Sequence, residues 1–182
     1  MSLKLVLTSM VLAAIAAGAA SGQAPQTPPA ADAAPYKLDE VPDRMPFDVP
    51  YGAPISLARA VAAVEATVAE AKKHDWKLNV AVVDSGGNLV AFERMDGAQL
   101  GSIQVAEHKA RASVQFRRET KVFEKGIQQS GNLYVMTLDG MIGSRGGIPL
   151  VADGKLIGAI GCSGGTGSQD EVACKVGVAT IK

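Results

Sequence analysis

Arg94, Asp96 and Lys109 form the polar group that the sequence places best for chemistry. Arg94 and Asp96 lie in the run RMDG, which leaves an apolar stretch, and Lys109 lies just downstream in SIQVAEHKARASVQF. A guanidinium binds a carboxylate through two parallel N–H···O contacts, and an ammonium adds a point charge. Arg94 and Lys109 meeting at one surface would receive a small organic acid, with Asp96 as an acid or base beside it. The structural alternative is an Arg94–Asp96 ion pair that closes the turn. Arg145, ahead of GGIPL, can join the cations, whereas Arg117 and Arg118 read as surface charge near a helix end.

The chain has two histidines and two cysteines. His74 closes a helical stretch beside Lys73 and Asp75, where a solvated imidazole is favoured by the helix dipole. His108 adjoins Lys109 and is a candidate for metal ligation or proton transfer, or else an exposed helix residue. Thr120, in RRETK, offers a hydroxyl for weak metal ligation or for a helix cap. Gln169, Asp170 and Glu171 open the last helix, where acids complement the dipole. Buried beside a glycine-rich loop, Asp170 would instead have a raised pKa and act as a general base. No tight ligand spacing marks a metal centre. Cys162 and Cys174 allow a single pairing, and a bridge over so short a loop would stabilise by roughly 3 kcal/mol; buried free thiols are the alternative.

These residues need a scaffold, and the periodicity supplies its parts. SLARAVAAVEATVAEAKKHDW places Leu57, Val61, Val64, Val68 and Ala71 on one helical stripe, with Ser56 as N-cap and Lys72 and Lys73 at the negative end. Two apolar runs flanking DSGGN predict a hairpin in which Asp84 bonds local amides. GIPLVADGKLIGAIG predicts a second hairpin with Asp153-Gly154 at its tip. Between them, SIQVAEHKARASVQF is helical. Ile103, Ala106, Ala110 and Val114 form its core stripe, and Val105, Ala112 and Phe116 form a second facet for a partner or a ligand. TKVFEKGIQ adds a short helix, and SQDEVACKVGVATI a last one with Ser168 as cap. The sum is an α+β domain on a mainly antiparallel sheet.

The glycine-rich run from Gly146 to Glu171 invites a phosphate-loop reading. It contains no G-x-x-x-x-G-K-[ST], and its acids oppose a phosphate. Its glycines are assigned to turns and to close backbone approach.

The 182 residues hold one domain and an N-terminal extension. Residues 1–19, with Lys4 ahead of an apolar run and AGA at the end, read as a signal peptide, which makes the protein exported, to the periplasm or beyond, with no stable membrane insertion after cleavage. Residues 20–53 form a Pro/Ala-rich linker or arm, whose second half, with Tyr36, Met45, Phe47 and Tyr51, is suited to lie on the domain or on a neighbouring subunit. The folded part is 54–182. Lys+Arg and Asp+Glu balance at 18 each and aromatics are 4%, so neither a basic field nor a stacking platform points to nucleic acid.

AVVDSGGNLVAFERMDGA, SIQVAEHKARAS and GGIPLVADGKLIGAIGCSGGTGSQDE, in this order, resemble the GlcG/HbpS-type haem-binding family over Pro54–Ile181. The resemblance implies a profilin-like domain with a five-stranded antiparallel sheet flanked by helices, homo-oligomers, and haem binding in exported members. Haem needs an apolar slot, an axial ligand and donors for its propionates. His108 is then the candidate iron ligand, Thr120 a weaker one, and Arg94, Lys109 and Arg145 the candidate propionate partners. No C-x-x-C-H is present for covalent attachment. The chain departs from the family pattern at Ala112, where Thr is frequent, and at Cys162, where an aliphatic residue is usual. The leading expectation is an exported haem- or tetrapyrrole-binding protein acting in sequestration, sensing or slow degradation. The alternatives are an enzyme or binding protein for a small organic acid using Arg94 and Lys109, with catalytic candidates Asp96, Lys109 and Asp170, and a non-catalytic assembly protein.

Overall fold

The computed structural model describes residues 41–182; the expected signal peptide and the first part of the arm lie outside the described residues. Helix α1 (Leu57–Lys73) starts at Ser56, whose hydroxyl accepts the Arg59 amide, and ends at His74. Its buried stripe is Ala60, Ala63, Val64, Thr67, Val68 and Ala71. Leu57 and Val61, which the spacing assigns to the stripe, are largely exposed. The face that docks is the one with small residues. There helix α4 (Gly167–Val178) approaches so closely that a side chain at Gly177 would collide with Ala63 and Thr67.

Strands β1 (Asn79–Asp84) and β2 (Leu89–Arg94) form the first hairpin, and β3 (Gly147–Ala152) and β4 (Lys155–Ser163) the second. Asp84 Oδ1 accepts the amides of Gly86 and Asn88 at 2.8 and 2.9 Å, the local role predicted for it. Asp153 and Gly154 both have positive φ, as a two-residue hairpin turn requires. The sheet order is β2-β1-β4-β3, antiparallel throughout.

The described residues contain four strands, one fewer than the resemblance implied. The arm supplies only a single parallel bridge, Tyr51 to Leu156, where β4 has run past the end of β1. Pro50 and Pro54 flank that bridge and lack the amide hydrogens that a longer ladder needs.

Side chains alternate across the sheet. Val80, Val82, Ile160 and Cys162 pack toward α1 and α4, whereas Ala81, Val83 and Ala159 pack toward helix α2 (Gly101–Phe116). The glycine-rich run serves this layering. A side chain at Gly161 would strike the Ala106 carbonyl, and one at Gly147 the Lys109 carbonyl, so α2 lies directly on the sheet backbone. Helix α3 (Lys121–Ser130) and a 3-10 turn (Leu133–Thr137) follow α2.

Helix α4 is capped by Thr166 and not by Ser168. Thr166 has the extended backbone of an N-cap, and it exchanges bonds with Gln169 in a capping box, which leaves Ser168 inside the helix. Cys162 and Cys174 are joined in a disulfide with Cα atoms 5.9 Å apart, tying β4 to α4 in the core. No helix of the described residues is long and apolar enough to cross a membrane.

The arm lies on the domain from Met45 onward. The Tyr51 hydroxyl donates to the carbonyls of Val114 and Gln115 at the end of α2, and Val49 joins the core beneath that helix. Arg117 donates to the Val49 carbonyl, and the Arg118 guanidinium stacks 3.3 Å from the centre of the Phe47 ring. The two arginines therefore receive the arm and are not free surface charge. The close of α2 makes this possible: Arg117 turns left-handed at the C-cap and throws both side chains toward the incoming chain.

Candidate functional site

The outward face of α2 is defined by what its inward face does. Ala106, Ala110 and Val114 lie on the sheet, fully or almost fully buried. The second apolar facet is also taken. Ala112 is buried, and the ring of Phe116 meets that of Phe123 on α3 edge to face, 5.1 Å between centroids. Ala112 and Phe116 are therefore packed inside the domain, whereas Val105 stays partly exposed.

What remains is a stripe at helical spacing, Gln104, Glu107, His108, Arg111 and Gln115. With Gly140 it lines a surface recess of about 570 Å3. Gly140 has positive φ and sits so close to Gln115 that a side chain there would collide with the amide oxygen, so this loop position needs glycine. His108 is half-buried and makes no hydrogen bond to any described residue, which leaves both ring nitrogens available. Arg111 donates through Nη2 to Glu107 Oε2 at 2.5 Å. Before Gly140 the chain exposes four apolar side chains, Leu133, Tyr134, Met136 and Leu138. The recess itself is polar, offering an imidazole, a guanidinium and two amide side chains on one stripe of α2.

Most of the other sequence-predicted residues lie elsewhere. Lys109, next to His108, points the opposite way. It is 1% exposed, and its ammonium donates to Asp170 Oδ2 at 2.8 Å and to the Cys162 carbonyl at 3.0 Å. Asp170 Oδ1 accepts the Gly165 amide. Burial pushes the Asp170 carboxyl above its ordinary value, while Lys109 and the amides of Gly165 and Gly164 pull it back. With both oxygens engaged inside the protein, this pair is a structural tie between α2 and α4 and not a surface acid–base couple.

Arg94 is exposed at the end of edge strand β2, so the structure does not bring it together with Lys109. Asp96 is exposed and makes no ion pair with Arg94. The carboxylate receptor predicted from these three residues is not assembled, because one of its cations faces the interior.

Thr120 is fully buried. Its hydroxyl neither caps α3 nor faces the recess; it accepts the Gly147 amide at 3.0 Å and holds β3 to the start of α3. Arg145 is bound to Glu124, through Nε to Oε1 and through its amide to Oε2, both at 2.7 Å, and its Nη1 reaches Glu171 at 3.4 Å. Glu171 also accepts from Lys121 at 2.9 Å and Lys175 at 2.5 Å. His74 donates through Nε2 to Glu70 Oε1 at 3.1 Å, stacks on Trp76 and does not line the recess. Among the described residues no three His, Cys, Asp or Glu side chains gather as a metal centre.

The Glu171 cluster gives a pH prediction. Burial raises this carboxyl, but Lys175 and Lys121 outweigh it and hold the group below its ordinary value. A carboxyl depressed by folding stabilises above its unfolded pKa and loses that contribution as pH falls through the folded value. Unfolding free energies measured from pH 6 to pH 3 should therefore show Glu171→Gln less stable than wild type at pH 6, with the two converging in acid. A constant gap would show that the ion pairs do not carry the effect.

Gln104, Glu107, Arg111 and Gln115 were missed in the sequence, although their spacing with His108 is written there. The signal was a polar stripe on a helix with two apolar facets, and such a stripe ordinarily marks a solvated face.

The model of the family described as haem degrading protein HbpS-like matches residues 55–179, and the chain belongs to this HbpS-like family. The chain is similar to the protein GlcG of Escherichia coli strain K12, with 37% identity over 109 residues, covering 60% of this chain and 81% of that protein. Among solved structures, a double mutant of HbpS from Streptomyces reticuli superposes with a TM-score of 0.65 at 29% identity, covering 81% of this chain and 99% of the other. The PduOC:heme complex superposes with a TM-score of 0.64 at 27% identity, covering 71% and 96%.

Proposed function

We propose that the protein binds haem or a related tetrapyrrole, whose metal His108 on the outer face of α2 would hold. The observation that carries this reading is the half-buried imidazole of His108, which has no partner among the described residues and lines the recess. Membership of a family described as haem-degrading, and likeness to a solved haem complex, support the choice of ligand. Of the residues that line the recess, His108 offers an imidazole for the metal and Arg111 and two glutamine amides offer donors for carboxylates, while none offers an apolar wall for the macrocycle. Bound haem would supply redox and oxygen chemistry. The chain's own contribution is to bind and orient it and to limit access of water.

We place the protein outside the cytoplasm. The leader over residues 1–19 and the buried Cys162–Cys174 disulfide, a bond that persists in oxidising compartments, support this. The role is sequestration, sensing or slow degradation of the tetrapyrrole. The exposed Leu133, Tyr134, Met136 and Leu138 also suit a contact between copies of the chain, so we propose a homo-oligomer.

Titration of the mature protein with hemin, with albumin as a control for loose association, tests the reading. A saturable Soret band at fixed stoichiometry is expected, and His108→Ala should alter its position and weaken binding. No saturable change in wild type overturns haem binding; a spectrum unchanged in His108→Ala overturns only the ligand assignment.

A further inference from the structure

We infer that the recess on the outer face of α2 is a binding site for a polyhydroxylated monocarboxylic acid, of the sugar-acid class, whose carboxylate Arg111 receives. The inference stands apart from the haem reading, with which it shares only His108. The carboxylate receptor sought at Arg94 and Lys109 is not assembled, because Lys109 is buried against Asp170. A guanidinium, an imidazole and two side-chain amides do meet on this stripe.

The walls define the ligand. Sites for apolar ligands are lined mainly by hydrophobic side chains. Every side chain that lines this recess of about 570 Å3 is polar, and an apolar surface laid over such groups would strip their water without replacing it. Gln104, His108, Arg111 and Gln115 follow one another at steps of three or four residues, so they leave α2 on one side. From Gln104 to Gln115 the stripe rises by about 16 Å, which offers an elongated ligand several polar contacts in a row.

Charge sets the rest. Arg111 is the one guanidinium of the recess and Glu107 the one acid. Glu107 engages Arg111 through Nη2 alone, which leaves further donors of the fork for a ligand carboxylate. Both side chains are partly exposed, at 41% and 23%, so a ligand reaches them from solvent. Glu107 also opposes a second carboxylate, since like charges repel. Ionised Glu107 only accepts hydrogen bonds, whereas the glutamine amides and a neutral imidazole both donate and accept. Hydroxyls meet both demands, because each donates and accepts in its turn. The ligand that matches the stripe is therefore one carboxylate followed by a run of hydroxyls.

Titration calorimetry of the mature protein with gluconate tests this. Glucose, hexanoate and glucarate serve as controls that remove the carboxylate, remove the hydroxyls and add a second carboxylate. Gluconate should bind saturably, and each control about tenfold more weakly, the scale of one charge-assisted contact. Arg111→Gln should weaken gluconate by about the same factor and bring it level with glucose. Glu107→Gln should raise glucarate to the level of gluconate, a gain that misfolding cannot produce. Gluconate that fails to bind wild type, or binds no better than glucose or hexanoate, overturns the inference. So does unchanged gluconate affinity in Arg111→Gln, or glucarate still disfavoured by Glu107→Gln. A wild type that binds gluconate but gives no saturable Soret band with hemin removes the haem reading and leaves this inference standing. The converse result removes this inference alone.

Discussion

Lys109→Met should destabilise the protein by about 3–5 kcal/mol, the cost of removing one partner from a buried ion pair. The methionine keeps most of the volume of the lysine stem, so the loss arises from charge and not from a cavity. Asp170 is left in the interior with its carboxylate facing apolar surroundings and the Cys162 carbonyl loses its donor. Burial already pushes the Asp170 carboxyl upward, and removing the ammonium removes what opposes that push most strongly. A carboxyl raised by folding contributes stability below its unfolded pKa and loses it as pH rises through the folded value. The variant should therefore recover part of its stability between pH 7 and pH 5. Pairing it with Asp170→Leu should restore more, because replacing both partners by apolar groups is often nearly neutral. Denaturant unfolding at the two pH values measures this. A Lys109→Met protein as stable as wild type at pH 7 would show that the pair is not closed in solution.

Breaking the disulfide is the second large effect. Cys162→Val with Cys174→Ala should cost about 3 kcal/mol by the loop-entropy argument, which lowers the melting temperature by roughly 10 °C in a domain of this size. Both sulfurs are fully buried, so reductant should act slowly on the folded protein and quickly in denaturant. Thiol counting in denaturant without reductant should find none. Two free thiols per chain in an exported sample would refute the bridge. The disulfide and the ion pair share Cys162 and the first turns of α4, one through its sulfur and the other through its carbonyl. Neighbouring contributions of this kind do not add. The Lys109→Met and cysteine variants combined should therefore lose less than the sum of their separate losses, since either change alone loosens α4 from β4.

Some of this was legible in the residues and some was not. Asp153-Gly154 marked a hairpin because only a left-handed pair closes a two-residue turn with the right twist. Asp84 marked a turn because a short carboxylate reaches amides two and four residues on, as the structure shows. These are local effects and can be read locally. The two facets of α2 were legible as apolar, but periodicity does not say what covers a facet. Phe123, on an element whose docking the sequence does not encode locally, covers one of them. Lys109 was singled out for its charge beside Arg94, yet its partner lies 61 residues on, at the start of α4.

By itself, then, the sequence determined the order of helices and hairpins, the turns and the family, and left the state of Cys162 and Cys174 to the structure. Each depends on side-chain chemistry within a few residues or on a pattern of motifs along the chain. The tertiary structure alone decided that Lys109 faces inward and His108 outward, that Arg145 and Thr120 serve as internal ties, and that Arg117 and Arg118 hold the arm. Adjacent residues on a helix diverge by about 100°, so which of them meets the interior is set by how the helix docks on the sheet. That docking follows from Gly147 and Gly161, where the absence of a side chain lets α2 rest on the strand backbone.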